Sequence, residues 1–246
     1  MILLEEVLPL QFSPDFLNSF YVVIQLSSIL AVVILYFDRL WPFGKRKESQ
    51  AKQDAWALWL RIFLAALPAA VIGFLFDDAI DRYLYTSKVL AISLVLYGVV
   101  FLLIGSRGRE TRISQMKELD LRTALQIGFF QVLALVPGTS RSGATIIGAI
   151  LLGCSPGLAS EFSFVLAIPM MAGASLLKLV KSGLSFLPME WAVLLTACLS
   201  SFLVSMLAVK GLIAYVRRRG FRAFGYYRIA LGLIVLLFFQ LRGSTL

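Results

Sequence analysis

The chain has 246 residues, 59% of them hydrophobic and 15% charged, against about 45–50% and 25% in soluble domains; with a mean hydropathy of +0.87, this excludes a soluble globular domain and predicts an all-α polytopic membrane protein. The net charge of +9 falls between apolar stretches rather than on one soluble face, so it is read as membrane-orienting loops and not as a nucleic-acid surface. The two cysteines, Cys154 and Cys198, lack metal-ligand spacing, and with no histidine present a histidine acid, base or ligand within this chain is excluded.

In chain order, six stretches have roughly the 20 apolar residues that cross a bilayer: 18–37, 56–76, 88–105, 160–178, 190–210 and 224–241. Residues 1–17 start with acids and lack a basic n-region, so no signal peptide is expected there. Pro68 and Pro169 fall inside two spans and predict kinks, which a bundle tolerates. Lysine and arginine set the orientation. Arg39, Lys45, Arg46, Lys47 and Lys52 follow the first span. Arg107, Arg109, Arg112, Lys117 and Arg122 follow the third, and Lys210, Arg217, Arg218, Arg219 and Arg222 the fifth. The segment after the second span, with Asp77, Asp78, Asp81 and Arg82, is acidic. The loops after spans one, three and five are therefore expected in the cytoplasm. Those after spans two and four, and the C-terminus, are expected outside. Residues 44–55 and 105–120 read as polar loops, too short to fold as soluble domains. The whole chain is read as a single integral membrane domain.

Residues 121–153 hold two apolar arms, 124–136 and 144–153, each too short to span. Both flanks must lie on the cytoplasmic side for the other loops to keep their sign. This predicts a re-entrant helical hairpin with 137–143 at its tip. The alternative is one continuous helix through 121–153. It conflicts with the breakers Pro137-Gly138 and Gly143 and would invert every later loop.

The tip reads Pro137-Gly-Thr-Ser-Arg-Ser-Gly-Ala-Thr145. At membrane depth such a run is costly, and a guanidinium there marks a functional site. Backbone N–H groups, hydroxyls and a planar cation together suit a phosphate. Arg141 is expected to clamp phosphate oxygens, with a buried ion pair to Glu161 or an interhelical tie as the alternative. Ser140 and Ser142 are expected to donate to phosphate or to supply a nucleophile, or else to cap the second arm. Gly138 and Gly143 allow close backbone approach, and Thr139 belongs to the same cradle. For Thr145, donation to phosphate and bonding to its own helix stand equal. Glu161 opens the fourth span, as a site residue or as a favourable charge at a helix N-terminus. Gln25 is placed as a polar support, and Arg228 as a second phosphate contact or a snorkelling side chain.

An inverted-topology repeat is also expected, about 1–105 and about 121–241, each half ending in three spans that enter from opposite sides. The first half's hairpin would begin before residue 1. Either the protein is asymmetric or the sequence begins inside it.

At these residues the chain resembles the undecaprenyl-diphosphate phosphatase (bacitracin-resistance) family. The anchors are Phe20-Tyr-Val-Val-Ile-Gln-Leu-Ser-Ser-Ile-Leu-Ala-Val-Val, Phe130-Gln-Val-Leu-Ala-Leu-Val-Pro-Gly-Thr-Ser-Arg-Ser-Gly-Ala-Thr, Ala159-Ser-Glu-Phe-Ser-Phe-Val-Leu-Ala-Ile-Pro-Met-Met and Tyr227-Arg228. The resemblance implies removal of the terminal phosphate of undecaprenyl diphosphate in the bacterial plasma membrane, with a divalent cation (Mg²⁺ or Ca²⁺) and a site opening toward the outer face. It implies recycling of the lipid carrier for peptidoglycan synthesis, and bacitracin resistance. The partners so implied are a polyprenyl diphosphate lipid and the membrane, with no nucleic acid; a homodimer is left open. One departure stands out. The family's N-terminal Glu-x-x-x-Glu, Leu-Pro, serine cluster and Gly-His motif is absent, and Glu5 and Glu6 fall after its place. The expectation is a start at an internal methionine, or a fragment. A polyprenyl-phosphate carrier or flippase, and an inactive fragment of the phosphatase, remain the alternatives, and the metal ligands remain open.

Overall fold

The computed structural model describes residues 12–43, 48–84, 86–106, 111–182 and 186–241. Glu5 and Glu6, the basic residues Lys45, Arg46 and Lys47, and Arg107 and Arg109 lie outside the described residues. Helix α1 (Pro14–Leu35) starts with proline in its first turn, where the missing N–H is not needed. Ser13 Oγ accepts the Phe16 amide at 3.2 Å. A short turn, α2 (Phe37–Leu40), is tied down by Trp59, whose Nε1 donates to the Leu40 carbonyl at 2.8 Å. Then come α3 (Ser49–Leu84), α4 (Ser87–Ser106), α5 (Leu121–Val132), α6 (Arg141–Leu151), α7 (Pro156–Ser182), α8 (Pro188–Arg219) and α9 (Arg222–Leu241). Among the described residues there is no strand, only an isolated bridge between Ile113 and Cys154.

Four helical stretches are long and apolar enough to cross a membrane: Ser49–Phe76, Pro156–Gly173, Pro188–Arg219 and Arg222–Gln240. The bent pair Asp78–Leu84 and Lys88–Ile104 makes a fifth if counted as one span. Ser19–Leu35 falls in the shorter apolar class. The architecture is that of a multi-pass membrane protein.

Several boundaries differ from the sequence reading. Helix α8 runs on through Arg217, Arg218 and Arg219 in its last turn. Cations at a helix C-terminus complement its dipole, so residues read as a loop are helical. Likewise Asp78 and Arg82 end α3 rather than forming a loop, and residues 49–55 begin it. Both α3 and α7 continue through Pro68 and Pro169, and the non-helical residue in α3 is Phe76.

The continuous-helix alternative for 121–153 is overturned. Helix α5 passes into a 3₁₀ turn (Leu133–Leu135), the chain reverses, and α6 starts at Arg141. Gly143, expected to break the helix, lies within α6. The two arms close because Gly148 has no side chain: a methyl there would overlap the Phe130 ring. The base of the hairpin is closed too. The Arg112 amide donates to the Gly153 carbonyl at 2.9 Å, and the Ser155 amide to the Ile113 carbonyl at 2.8 Å. Entry and exit therefore lie together at one end, with the tip at the other.

The hairpin is seated against α3, α4 and α7. Gly128 packs so closely on α3 that a β-carbon would overlap the Ala65 carbonyl oxygen. Gly128→Ala is thus expected to lower the thermal midpoint in detergent, by an overpacking cost of about 1–3 kcal/mol; an unchanged melting curve would count against this contact. Ahead of α5, Glu118 Oε2 accepts the Ser114 amide at 2.8 Å and the Gln115 amide at 3.0 Å. These bonds hold its carboxyl below the usual range. A depressed carboxylate stabilises above its unfolded pKa and stops doing so as pH falls through the folded one. The 114–118 turn should loosen only as pH falls below the ordinary glutamate range, visible as shifts of the Ser114 and Gln115 amide resonances.

Candidate active site at the hairpin tip

Three elements position the tip. Pro137 precedes Gly138, whose φ of +85° is a conformation glycine adopts without strain. A side chain there would also overlap the Leu90 carbonyl of α4. Arg228 of α9 donates from Nη2 to the Gly138 carbonyl and, at 3.1 Å, to the Thr139 carbonyl. Its guanidinium carbon lies 5.8 Å from the centre of the Tyr97 ring. Tyr97 in turn lies beside the side chain of Thr139, which is fully buried.

Ser140 then turns the chain into α6 with a φ of +64°, costly for a residue with a β-carbon. Its Oγ accepts the Gly143 amide at 3.3 Å and lies 3.3 Å from Ser142 Oγ. Capping uses a lone pair and leaves the hydroxyl proton free to donate outward. Ser140 and Ser142 are exposed and Arg141 is half-buried. Among the described residues, nothing accepts a hydrogen bond from the Arg141 guanidinium. The tip therefore presents one uncommitted cation, two accessible hydroxyls and the N-terminal end of a helix, which together suit an anion.

Arg228 reaches the tip, although what it holds is backbone. Gly143 lies beneath the tip against Phe101. Thr145 is turned inward: its Oγ1 sits 3.1 Å from the Arg141 carbonyl, 3.1 Å from the Ser142 carbonyl and 2.6 Å from Ser163 Oγ. Gln25 is exposed on α1, a helix that packs on α7 and α8. Glu161 is buried and pairs with Arg39 at 2.7 Å and with Arg217, not with Arg141. With Arg61, Lys117 and Gly157 it lines a cavity of about 650 Å³ that includes no residue of 137–145.

Tyr97, Ser163 and Gln131 were missed in the sequence. Gln131 is buried with its Nε2 unpartnered among the described residues. A polar residue inside a predicted span or, for Gln131, inside an apolar hairpin arm is the only signal each one carries.

Fold and tip together define a polytopic helical membrane protein with a hairpin-shaped insertion whose tip has the groups that suit an anion. The chain belongs to the bacitracin resistance protein BacA family, whose profile matches residues 1–234. It is 52% identical over 241 residues to an undecaprenyl-diphosphatase of Acetivibrio thermocellus, covering 97% of this chain and 89% of that protein. It is 46% identical to undecaprenyl-diphosphatase 1 of Clostridioides difficile, covering 98% and 88%. It is also 46% identical to an undecaprenyl-diphosphatase of Enterococcus faecalis, covering 96% and 87%.

Proposed function

We propose that this chain is an undecaprenyl-diphosphate phosphatase. It hydrolyses the anhydride bond of undecaprenyl diphosphate, giving undecaprenyl phosphate and inorganic phosphate, so that the lipid carrier returns to peptidoglycan synthesis. Removing the diphosphate lowers the amount of lipid that bacitracin engages, which accounts for resistance. The observation that carries the reading is the uncommitted Arg141 between two accessible hydroxyls at the start of α6. Phosphoryl transfer needs positioning and charge stabilisation more than covalent chemistry. In this reading Arg141 clamps the terminal phosphoryl oxygens, and Ser140 and Ser142 donate to them or supply the attacking group. Gly138, Thr139 and Gly143 shape the loop, Thr145 holds the first turn of α6, and Arg228 fixes the approach.

A divalent cation, Mg²⁺ or Ca²⁺, is proposed to act with the diphosphate. The 137–145 loop carries no carboxylate, and no three metal-ligating side chains gather among the described residues. The loop by itself does not fit such an ion.

Six spans are proposed: α1, α3, α4, α7, α8 and α9, with α5 and α6 as a re-entrant hairpin opening outward. Helix α1, with 22 residues, is roughly 33 Å long, close to a hydrocarbon core of about 30 Å. The contacts support an inverted repeat. Exchanging α1 with α7, α3 with α8 and α4 with α9 turns the α1–α8 contact into α7–α3, which is also present. Phosphate release from undecaprenyl diphosphate by the purified chain in detergent, with Mg²⁺ or Ca²⁺ supplied, tests the function; lipid translocation by vesicles without phosphate release would point to a carrier instead.

A further inference from the structure

Thr145 and Ser163 are both buried, at 2% and 5% exposure, and their hydroxyl oxygens lie 2.6 Å apart. Thr145 Oγ1 also faces the carbonyl oxygens of Arg141 and Ser142, each at 3.1 Å. A hydroxyl has a single proton and a carbonyl can only accept. Thr145 therefore directs its proton at the carbonyls, and the proton between the two hydroxyls comes from Ser163. The bonding runs from Ser163 on α7, through Thr145, into the first turn of α6. That turn carries Arg141 and Ser142 and is capped by Ser140. Two residues before Ser163, Glu161 anchors α7 to Arg39 and Arg217, so Ser163 stands on a helix fixed from two sides.

We propose that Ser163 is a positioning residue for the phosphatase site: it pins the first turn of α6 through Thr145 and so fixes where Arg141 and Ser142 meet the diphosphate. This rests on the reading of 137–145 as the diphosphate site. Side-chain bonds from threonine to carbonyls of its own helix bend a helix, and catalytic geometry is sensitive to displacements near 1 Å. The pin acts on chemistry more than on binding.

The test is steady-state phosphate release from undecaprenyl diphosphate by the full chain in detergent. Ser163→Ala is expected to lower kcat about tenfold with KM within about twofold, and Ser163→Thr, which keeps the hydroxyl, to restore most of the rate. Thr145→Val should lose at least as much, and the double variant no more than Thr145→Val alone, because both act through one chain of bonds. Wild-type turnover in Ser163→Ala, no restoration by Ser163→Thr, or additive losses in the double variant overturn the proposal. If the wild type releases no phosphate, the functional reading falls, and amide exchange decides the pin. Faster exchange at Ala144 and Thr145 in Ser163→Ala supports it, and unchanged exchange overturns it.

Discussion

Arg141→Ala lowers phosphate release by about 10³-fold or more, and Arg141→Lys recovers little of it. Arginine offers a planar fork that meets two phosphoryl oxygens at once, whereas lysine offers a single point charge on a flexible stem. The loss falls on kcat, because charge on those oxygens rearranges in the transition state. It comes without loss of thermal stability, since no described group accepts from this guanidinium. That combination separates Arg141 from Arg39 and Arg217, whose partner is the buried Glu161. Substituting either of those leaves a buried carboxylate with one partner fewer and destabilises the fold. Steady-state kinetics beside a melting curve check the prediction, and a stable Arg141→Ala protein with wild-type turnover would count against it.

Arg228→Ala acts by a different route. Its Nη2 serves the carbonyls of Gly138 and Thr139, at the point where the chain turns from one arm of the hairpin into the other. Leaving those acceptors without their donor costs about 1–3 kcal/mol where they are buried, and it releases the loop that precedes Ser140. The expected result is a fall in kcat of about 10²-fold together with a lower melting temperature. Arg228→Lys should recover part of both, since an ammonium reaches one carbonyl but does not bridge two. If Arg228 were a phosphate contact only, the melting temperature would hold and KM would rise.

The hairpin was legible because Pro137 and Gly138 interrupt an apolar pattern whose arms are too short to span. The polar tip was legible because arginine and serine have no inexpensive place between two such arms. What could not be read was direction. Thr145 is equally suited to a ligand and to its own helix, and the choice depends on Ser163, 18 residues away. Arg228 sits 90 residues from Gly138, and an apolar span gives no sign of whether its cation meets a headgroup or a carbonyl. Glu161 looked like a charge at a helix start because the span was read from residue 160. The helix begins at Pro156, which places Glu161 in the second turn, where Arg39 and Arg217 from two other elements meet it. Helix ends were misplaced for a related reason: Arg217, Arg218 and Arg219 are polar yet helical, since the backbone continues beyond the apolar segment wherever its dipole is complemented.

In the proposed mechanism the 137–145 loop, and not the cavity around Glu161, receives the diphosphate. Arginine-selective labelling of the purified chain, with and without the methylene-bridged, non-cleavable analogue of undecaprenyl diphosphate, tests this most directly when read at each arginine by peptide mass. Arg141 is expected to be labelled readily in the free protein and protected by the analogue, while labelling of Arg39, Arg61 and Arg217 is unchanged. Protection of Arg39, Arg61 or Arg217 with Arg141 still reactive would contradict it.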